Sequence, residues 1–384
     1  MRFEFATATR IIFGPGTLAE VPAEAARFGR HILLVSGSSV KRAQALLDGL
    51  SGQSLDVTTF PVHGEPTISL VAGGLEAARQ AGSEVVIGLG GGSVLDASKA
   101  IAALLTNGGE PLDYIEVVGR GKTISRPSAP FIAIPTTAGT GTEVSRNAVL
   151  ASPEHHVKAS IRSPHMLARL AVIDPDLVRG APPAVIAASG LDALTQLIEP
   201  YTGARPNPVT DALCLEGIRR AGRALRPLYR DSENAVARED MALAALLSGI
   251  ALANSSLGAV HGFAAPLGGS FDAPHGAVCA RLLPIVMAAN LKALQARQPD
   301  SPVIGRYQTV ARLLTGDDSA SAADGAPWVA DLCAELAIPP LATYAISASD
   351  LPDLVAAARQ ASSMKGNPIA LTDDELASIL EAAL

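Results

Sequence analysis

The chain has 384 residues, 48% of them hydrophobic, enough for two domains that each bury a core. With 30 basic against 37 acidic residues the formal net charge is −7, and no basic run appears, which speaks against a nucleic-acid partner. Three widely spaced thiols without a CxxC pair, Cys214, Cys279 and Cys333, argue against a disulfide framework and fit a reducing compartment.

The opening Met1-Arg2-Phe3-Glu4-Phe5 lacks the charged-then-apolar pattern of a secretory signal, so a cytoplasmic protein is expected. Short, continuously apolar runs then alternate with helical segments. His31-Ile32-Leu33-Leu34-Val35, Glu84-Val85-Val86-Ile87-Gly88 and Phe131-Ile132-Ala133-Ile134-Pro135 read as parallel strands covered on both faces. Helices are expected around 70–80 and 94–105. This alternation predicts a doubly wound α/β domain with its ligand at the C-terminal strand ends. The second run enters Leu89-Gly90-Gly91-Gly92-Ser93 and then a helix carrying Asp96 and Lys99. Successive glycines let a backbone approach a phosphate, and a helix N-terminus adds free N–H groups and a positive dipole end. The pattern is not GxGxxG, since Ser93 stands where the last glycine would be, and a plain strand-to-helix turn is the competing reading. The third run enters Pro135-Thr136-Thr137-Ala138-Gly139-Thr140-Gly141-Thr142-Glu143-Val144-Ser145, whose hydroxyls and glycines suit ribose, pyrophosphate and carboxamide contacts.

Glycine and proline in Arg179-Gly180-Ala181-Pro182-Pro183 mark a boundary between an α/β domain over 1–180 and a helical domain over 181–384. Beyond it, Ala212, Leu215, Ile218 and Leu225 follow helical periodicity. Gly190 through Glu199 reads as a helix, so Asp192 and Gln196, at i and i+4, project from one face. From Met241 through Phe271 no Asp, Glu, Lys or Arg occurs, which makes His261 the one ionisable group on a buried helix and its flanks. A polar side chain there needs a partner, because leaving it unpaired costs about 1–3 kcal/mol. The apolar part of this run, Met241 to Ala253, falls short of the roughly 20 residues that cross a bilayer, so no membrane partner is expected. His275 stands in Asp272-Ala273-Pro274-His275-Gly276, which reads as a loop. Two histidines and a carboxylate with an open position are the usual make-up of a catalytic Zn or Fe(II) site.

With these residues the chain resembles the iron-containing (group III) alcohol dehydrogenase family. The resemblance runs through Phe13-Gly14-Pro15-Gly16-Thr17-Leu18, Gly90-Gly91-Gly92-Ser93 with Asp96 and Lys99, and Pro135 to Gly141. It continues through Asp174-Pro175, Gly190 to Thr195, Thr210-Asp211-Ala212-Leu213, Pro274-His275-Gly276 and Asn367-Pro368. It implies an α/β N-terminal dinucleotide-binding domain plus an all-α C-terminal domain, an architecture shared with dehydroquinate synthase. It also implies a homodimer and hydride transfer between NAD(P) and a small primary alcohol or its aldehyde. Carried over by position, the metal ligands fall on Asp192, His261 and His275, the catalytic set, with Gln196 where the iron enzymes place a further His. The metal is then Fe or Zn. Cofactor contacts fall on Ser38, Ser39, Lys41, Gly91, Gly92, Ser93, Asp96, Thr136, Thr137, Thr140, Ser145 and Lys158. Ala265 replaces a His that many members carry four residues after His261. NAD-preferring members place an Asp where Gly37 stands, which points to NADP with NAD as the alternative. Three other readings stay open: a maleylacetate reductase-like enzyme without metal, suggested by Leu267 to His275; a dehydroquinate synthase-like lyase; and a degenerate nucleotide-binding member.

Overall fold

Continuous apolar runs become strands that need neighbours on both faces. The computed structural model describes residues 2–37, 40–155 and 157–384. Its strands are β1 (Ile11–Phe13), β2 (His31–Ser36), β3 (Asp56–Pro61), β4 (Val85–Gly90), β5 (Phe131–Pro135), β6 (Asn147–Ser152), β7 (Val157–Arg162) and β8 (Leu170–Ile173). Six of them pair in parallel in the order β1-β8-β5-β4-β2-β3, and β6 and β7 form an antiparallel hairpin. Every residue of β4 and β5 is buried, as a sheet covered on both sides requires. The covering helices are α1 (Val21–Ala26), α2 (Val40–Gly52), α3 (Ile68–Gln80) and α4 (Gly92–Asn107), followed by the short α5 (Pro111–Tyr114). Val21, Leu34, Leu46, Ile87, Ile132 and Val172 share one core. Helix α4 lies directly on β4, where a Cβ at Gly88 would come 2.6 Å from Ser98 Oγ and one at Gly90 2.5 Å from Val94 Cβ. Glycine in this strand is therefore a packing requirement.

This α/β unit comprises 6–137 and 141–178, and a second, helical unit comprises 179–384, 138–140 and a short N-terminal segment ending at Phe5. The helical unit is built from α6 (Pro183–Thr202), α7 (Pro208–Arg230), α8 (Ala235–Asn254), α9 (Ala259–Ser270), α10 (His275–Arg297), α11 (Pro302–Thr315), α12 (Gly325–Glu335), α13 (Leu351–Gln360) and α14 (Asp373–Ala383). Two expectations need correction. The charge-free run from Met241 to Phe271 is two helices, α8 and α9, bent by 93° across 255–258. His261 therefore sits on a separate short helix, aimed independently of the apolar α8. Likewise His275 is the first residue of α10 rather than a loop residue, with Pro274 at the N-cap. Helix α10 is long and apolar enough to cross a membrane, yet 72% of its apolar window is buried inside the protein. Its apolarity serves the core of this unit.

Candidate metal centre

On α6, Asp192, Gln196 and Glu199 follow at i, i+4 and i+7, so one buried helix face carries all three. Glu199 reaches α9 and does two things there. Its Oε1 accepts the Val260 N–H at 2.7 Å, and its Oε2 accepts from His261 Nδ1 at 2.6 Å. Asn367 Oδ1 accepts the neighbouring Ala259 N–H at 3.1 Å. Two orphan donors of the first turn of α9 are thus met by side chains far away in sequence. The carboxylate also fixes the His261 tautomer, which leaves Nε2 as the lone-pair donor. Helix α10 approaches α6 so closely that a Cβ at Gly276 would lie 2.5 Å from the Ala188 carbonyl oxygen. That approach brings His275 and, one turn on, Cys279 to the same place.

Four donor atoms converge. Asp192 Oδ1 lies 3.6 Å from His261 Nε2 and 3.7 Å from His275 Nε2. Cys279 Sγ lies 3.9 Å from His261 Nε2 and 3.6 Å from His275 Nε2. Among the described residues these four side chains offer ligand atoms that all fall within 4.8 Å of one another. Asp192, His261 and Cys279 are buried, while the His275 side chain is 43% exposed and opens the cluster on one side. Asp192 Oδ1 is buried without a hydrogen-bond partner, an expensive state for a carboxylate oxygen unless a cation satisfies it. Burial works to raise the Asp192 pKa, but His275 and His261 outweigh it and hold the carboxyl below its ordinary range. Negative charge at Cys279, with Asp192, pushes the His275 imidazole up to about 9 against burial. Burial opposes protonation of His261 too, yet the anions around it raise this imidazole well above its usual value. The residues fit a divalent cation: two imidazoles, a carboxylate and a thiol face one point.

Gln196 is buried beside the cluster. Its Nε2 donates to Asp192 Oδ2 at 3.0 Å, and its Oε1 accepts from Ser248 Oγ at 3.3 Å. Sequence reasoning missed Cys279 and Glu199. Each had a signal: Cys279 is i+4 from His275, and Glu199 is i+7 from Asp192, so both share a helix face with a candidate ligand. Because Glu199 orients His261, Glu199→Ala is expected to weaken metal retention about 10–100-fold, measured by chelator competition.

In the α/β unit the expected cofactor residues divide. The C-terminal ends of β2, β4 and β5 stand side by side, with Ser36 opposite Leu89 and Gly90 opposite Pro135. Strand β2 has β3 on one side and β4 on the other, so a topological switch point falls between the β2 and β4 ends, where dinucleotides bind in such sheets. Gly91 is the N-cap of α4, and Gly92 and Ser93 open its first turn. The Thr136 N–H donates to the Gly90 carbonyl at 3.0 Å, and a Cβ at Gly91 would stand 3.4 Å from the Thr137 side chain. Gly91, Gly92, Ser93, Thr136 and Thr137 are therefore neighbours. Thr140 falls in the 138–140 segment of the helical unit, where the Gly139 carbonyl lies 3.4 Å from Ser248 Oγ. Ser145 is buried and engaged by Lys99, and Lys158 pairs with Glu65 at 3.3 Å. Burial raises the Asp96 pKa although Lys99 opposes it. Ser38 and Ser39 lie outside the described residues, and Lys41 is described only as a backbone position of α2.

Residues 8–175 match the family described as iron-containing alcohol dehydrogenase, and residues 186–384 match the C-terminal part of the Fe-containing alcohol dehydrogenase family. Alcohol dehydrogenase 4 of Saccharomyces cerevisiae is 43% identical over 233 residues, 61% of this chain and 60% of that protein, so the match spans under two thirds of the yeast enzyme. The 1,3-propanediol dehydrogenase of Citrobacter freundii is 33% identical over 99% of this chain and 98% of its own length. Among solved structures, a 1,3-propanediol oxidoreductase superposes with a TM-score of 0.91 at 31% identity over 100% of both chains. A sulfoacetaldehyde reductase from Bifidobacterium kashiwanohense in complex with NAD+ gives 0.87 at 26% identity, over 100% of this chain and 99% of that one.

Proposed function

Because this chain belongs to the iron-containing alcohol dehydrogenase family, we propose that it is a metal-dependent, NAD(P)-linked oxidoreductase that interconverts a small primary alcohol and its aldehyde. The observation that carries the reading is Asp192 Oδ1, buried and unpartnered, facing the Nε2 atoms of His261 and His275. Asp192, His261 and His275 hold the divalent metal. When bound, the metal polarises the substrate oxygen, and the nicotinamide takes up or returns the hydride. The protein's own work is positional. Glu199 keeps His261 Nε2 free for the ion, Gln196 holds the outer oxygen of Asp192, and the apolar flanks of the cluster keep bulk water away. An orphaned carboxylate at this point has no purpose in the metal-free chemistry of a maleylacetate reductase. The test is oxidation of NADPH and NADH over a panel of small aldehydes, on protein of known metal content. Absence of turnover with every aldehyde in metal-loaded protein would refute the reading.

NADP is the favoured cofactor, and the Gly91-Gly92-Ser93 turn at the start of α4 supports a phosphate beside the end of β2. A Cβ at Gly37 would meet nothing within 4 Å, so an Asp fits there without strain. Gly37→Asp is expected to shift the NADPH-to-NADH preference toward NADH by about tenfold or more, through repulsion of the 2′-phosphate. The ratio of kcat/KM values reads it directly.

Metal affinity should depend steeply on pH. The His275 pKa stands at about 9, so near neutrality its imidazole carries a proton that an incoming ion must displace. Affinity then rises with pH and levels off for this group near pH 9, by about tenfold per pH unit for each proton displaced. Calorimetric titration of metal into stripped protein, in buffers of different ionisation enthalpy, counts the protons released. A cytoplasmic location is supported by the three unpaired thiols. The homodimer follows from the family resemblance, and light scattering on the eluted protein checks it.

A further inference from the structure

Four edges of the donor cluster have nearly the same length, 3.6, 3.7, 3.6 and 3.9 Å, and they run between Asp192 Oδ1, the two imidazole Nε2 atoms and Cys279 Sγ. Ligand bonds of about 2.1 Å to nitrogen or oxygen and about 2.3 Å to sulfur put tetrahedral edges at about 3.4–3.6 Å. Along these four edges the cluster is only slightly wider than a bound ion requires, the remaining two lie within 4.8 Å, and the thiol is one corner. Helix geometry explains why: His275 and Cys279 stand one turn apart on α10 and face the same point as Asp192 on α6.

Gln196 does not compete for that corner. A Gln binds a metal through its carbonyl oxygen, and here Oε1 accepts from Ser248 while Nε2 donates to Asp192 Oδ2. The orientation follows from chemistry, because a carboxylate oxygen accepts hydrogen bonds and would repel the amide oxygen. The amide nitrogen is therefore the end turned toward Asp192, and the oxygen is the end beside Ser248. Holding Oδ2 from behind leaves Oδ1 aimed into the cluster with no other partner.

We propose that Cys279 binds the metal as a thiolate, completing an Asp192–His261–His275–Cys279 donor set in which Gln196 only positions Asp192, and that this set favours zinc over ferrous iron. The inference rests on the reading that Asp192, His261 and His275 hold the metal. A thiolate is a soft ligand, and zinc lies above ferrous iron in intrinsic affinity for such sites. As a thiolate, Cys279 would set a full negative charge at its corner of the site. The exposed flank of His275 leaves the cluster open to a small ligand on that side.

The test uses the full chain, stripped with a chelator and loaded with cobalt(II), whose thiolate complexes absorb intensely in the near ultraviolet by sulfur-to-metal charge transfer. The wild-type protein is expected to show this band. Cys279→Ser, which nearly conserves volume, is expected to lose it together with about 100-fold or more in zinc affinity. Cys333→Ser and Gln196→Ala are expected to keep the band, the latter with metal affinity lowered about 10–100-fold. Cobalt bound to wild-type protein without the band, or a band that survives Cys279→Ser, overturns the proposal. If Cys279→Ser does not fold, the wild-type spectrum alone decides. Loss of binding in His261→Ala with no thiolate band in the wild type leaves the three-residue metal site standing and removes Cys279. Failure of the wild type to bind any divalent ion removes both.

Discussion

His261→Ala is expected to abolish metal retention and turnover together. The imidazole occupies one corner of the cluster, 3.6 Å from Asp192 Oδ1, and no other side chain of α9 can replace it, since its charge-free neighbours offer no donor. Lewis-acid assistance is worth several kcal/mol, and each 1.4 kcal/mol is tenfold, so kcat/KM should fall on the order of 10³-fold or more. The variant also leaves Glu199 Oε2 without its imidazole partner, so some stability is lost as well. Two readouts separate these effects. Wild-type protein should gain thermal stability on adding metal, because a ligand bound only by the native state stabilises it, whereas the variant should not respond. Elemental analysis after gel filtration should find the ion with the wild type alone. A variant that keeps both metal and turnover would remove His261 from the site.

Lys99→Met is expected to cost about 3–5 kcal/mol in the α/β unit and to weaken cofactor binding with it. Lys99 is fully buried, and its Nζ donates to the carbonyls of Thr142, Ser145 and Asn147 at 2.7, 2.9 and 2.8 Å and to Ser145 Oγ at 2.9 Å. A methionine of similar length fills the space but takes the ammonium away from the Thr142, Ser145 and Asn147 carbonyls, of which Thr142 keeps the Ser145 N–H at 3.3 Å. The chain from Thr142 to Asn147, which follows the hydroxyl-rich loop, would lose the ammonium that gathers it onto α4. Calorimetry should show the transition of the α/β unit moved to lower temperature, and the KM for cofactor should rise more than kcat falls. An unchanged transition would mean that these hydrogen bonds contribute little net stability.

Much of the architecture can be read without coordinates, and the reason is local. Strands buried on both faces have to be continuously apolar, so β2, β4 and β5 announce themselves, and the glycines at the end of β4 mark the close seat of α4. Asp192 stands out as a carboxylate within a largely apolar helix, and His261 because no other ionisable residue lies within the surrounding run. What stays hidden depends on which helix faces meet. The bend between α8 and α9 arises across 255–258, where no proline announces it, and it sets α9, and His261 with it, in a direction of its own. Cys279 and Glu199 carry the right spacing from His275 and Asp192, but spacing along one helix says nothing about the partner across it.

Gln196 shows the same division from the other side. Its position one turn after Asp192 is legible in the sequence and invites a ligand role, since a side chain at i+4 must lie beside its neighbour. Which atom of its amide turns toward Asp192 is decided by Ser248 on another helix and by the carboxylate's need for a donor. The sequence by itself determined the two classes of domain, the glycine turn after β4 and three of the four converging donors, because each rests on local periodicity or on the rarity of charge in an apolar run. Only the tertiary structure decided the fourth donor, the orientation of His261 by Glu199 and the clamp at Lys99, because these depend on contacts between segments 43 to 62 residues apart or between helices whose packing no local pattern records.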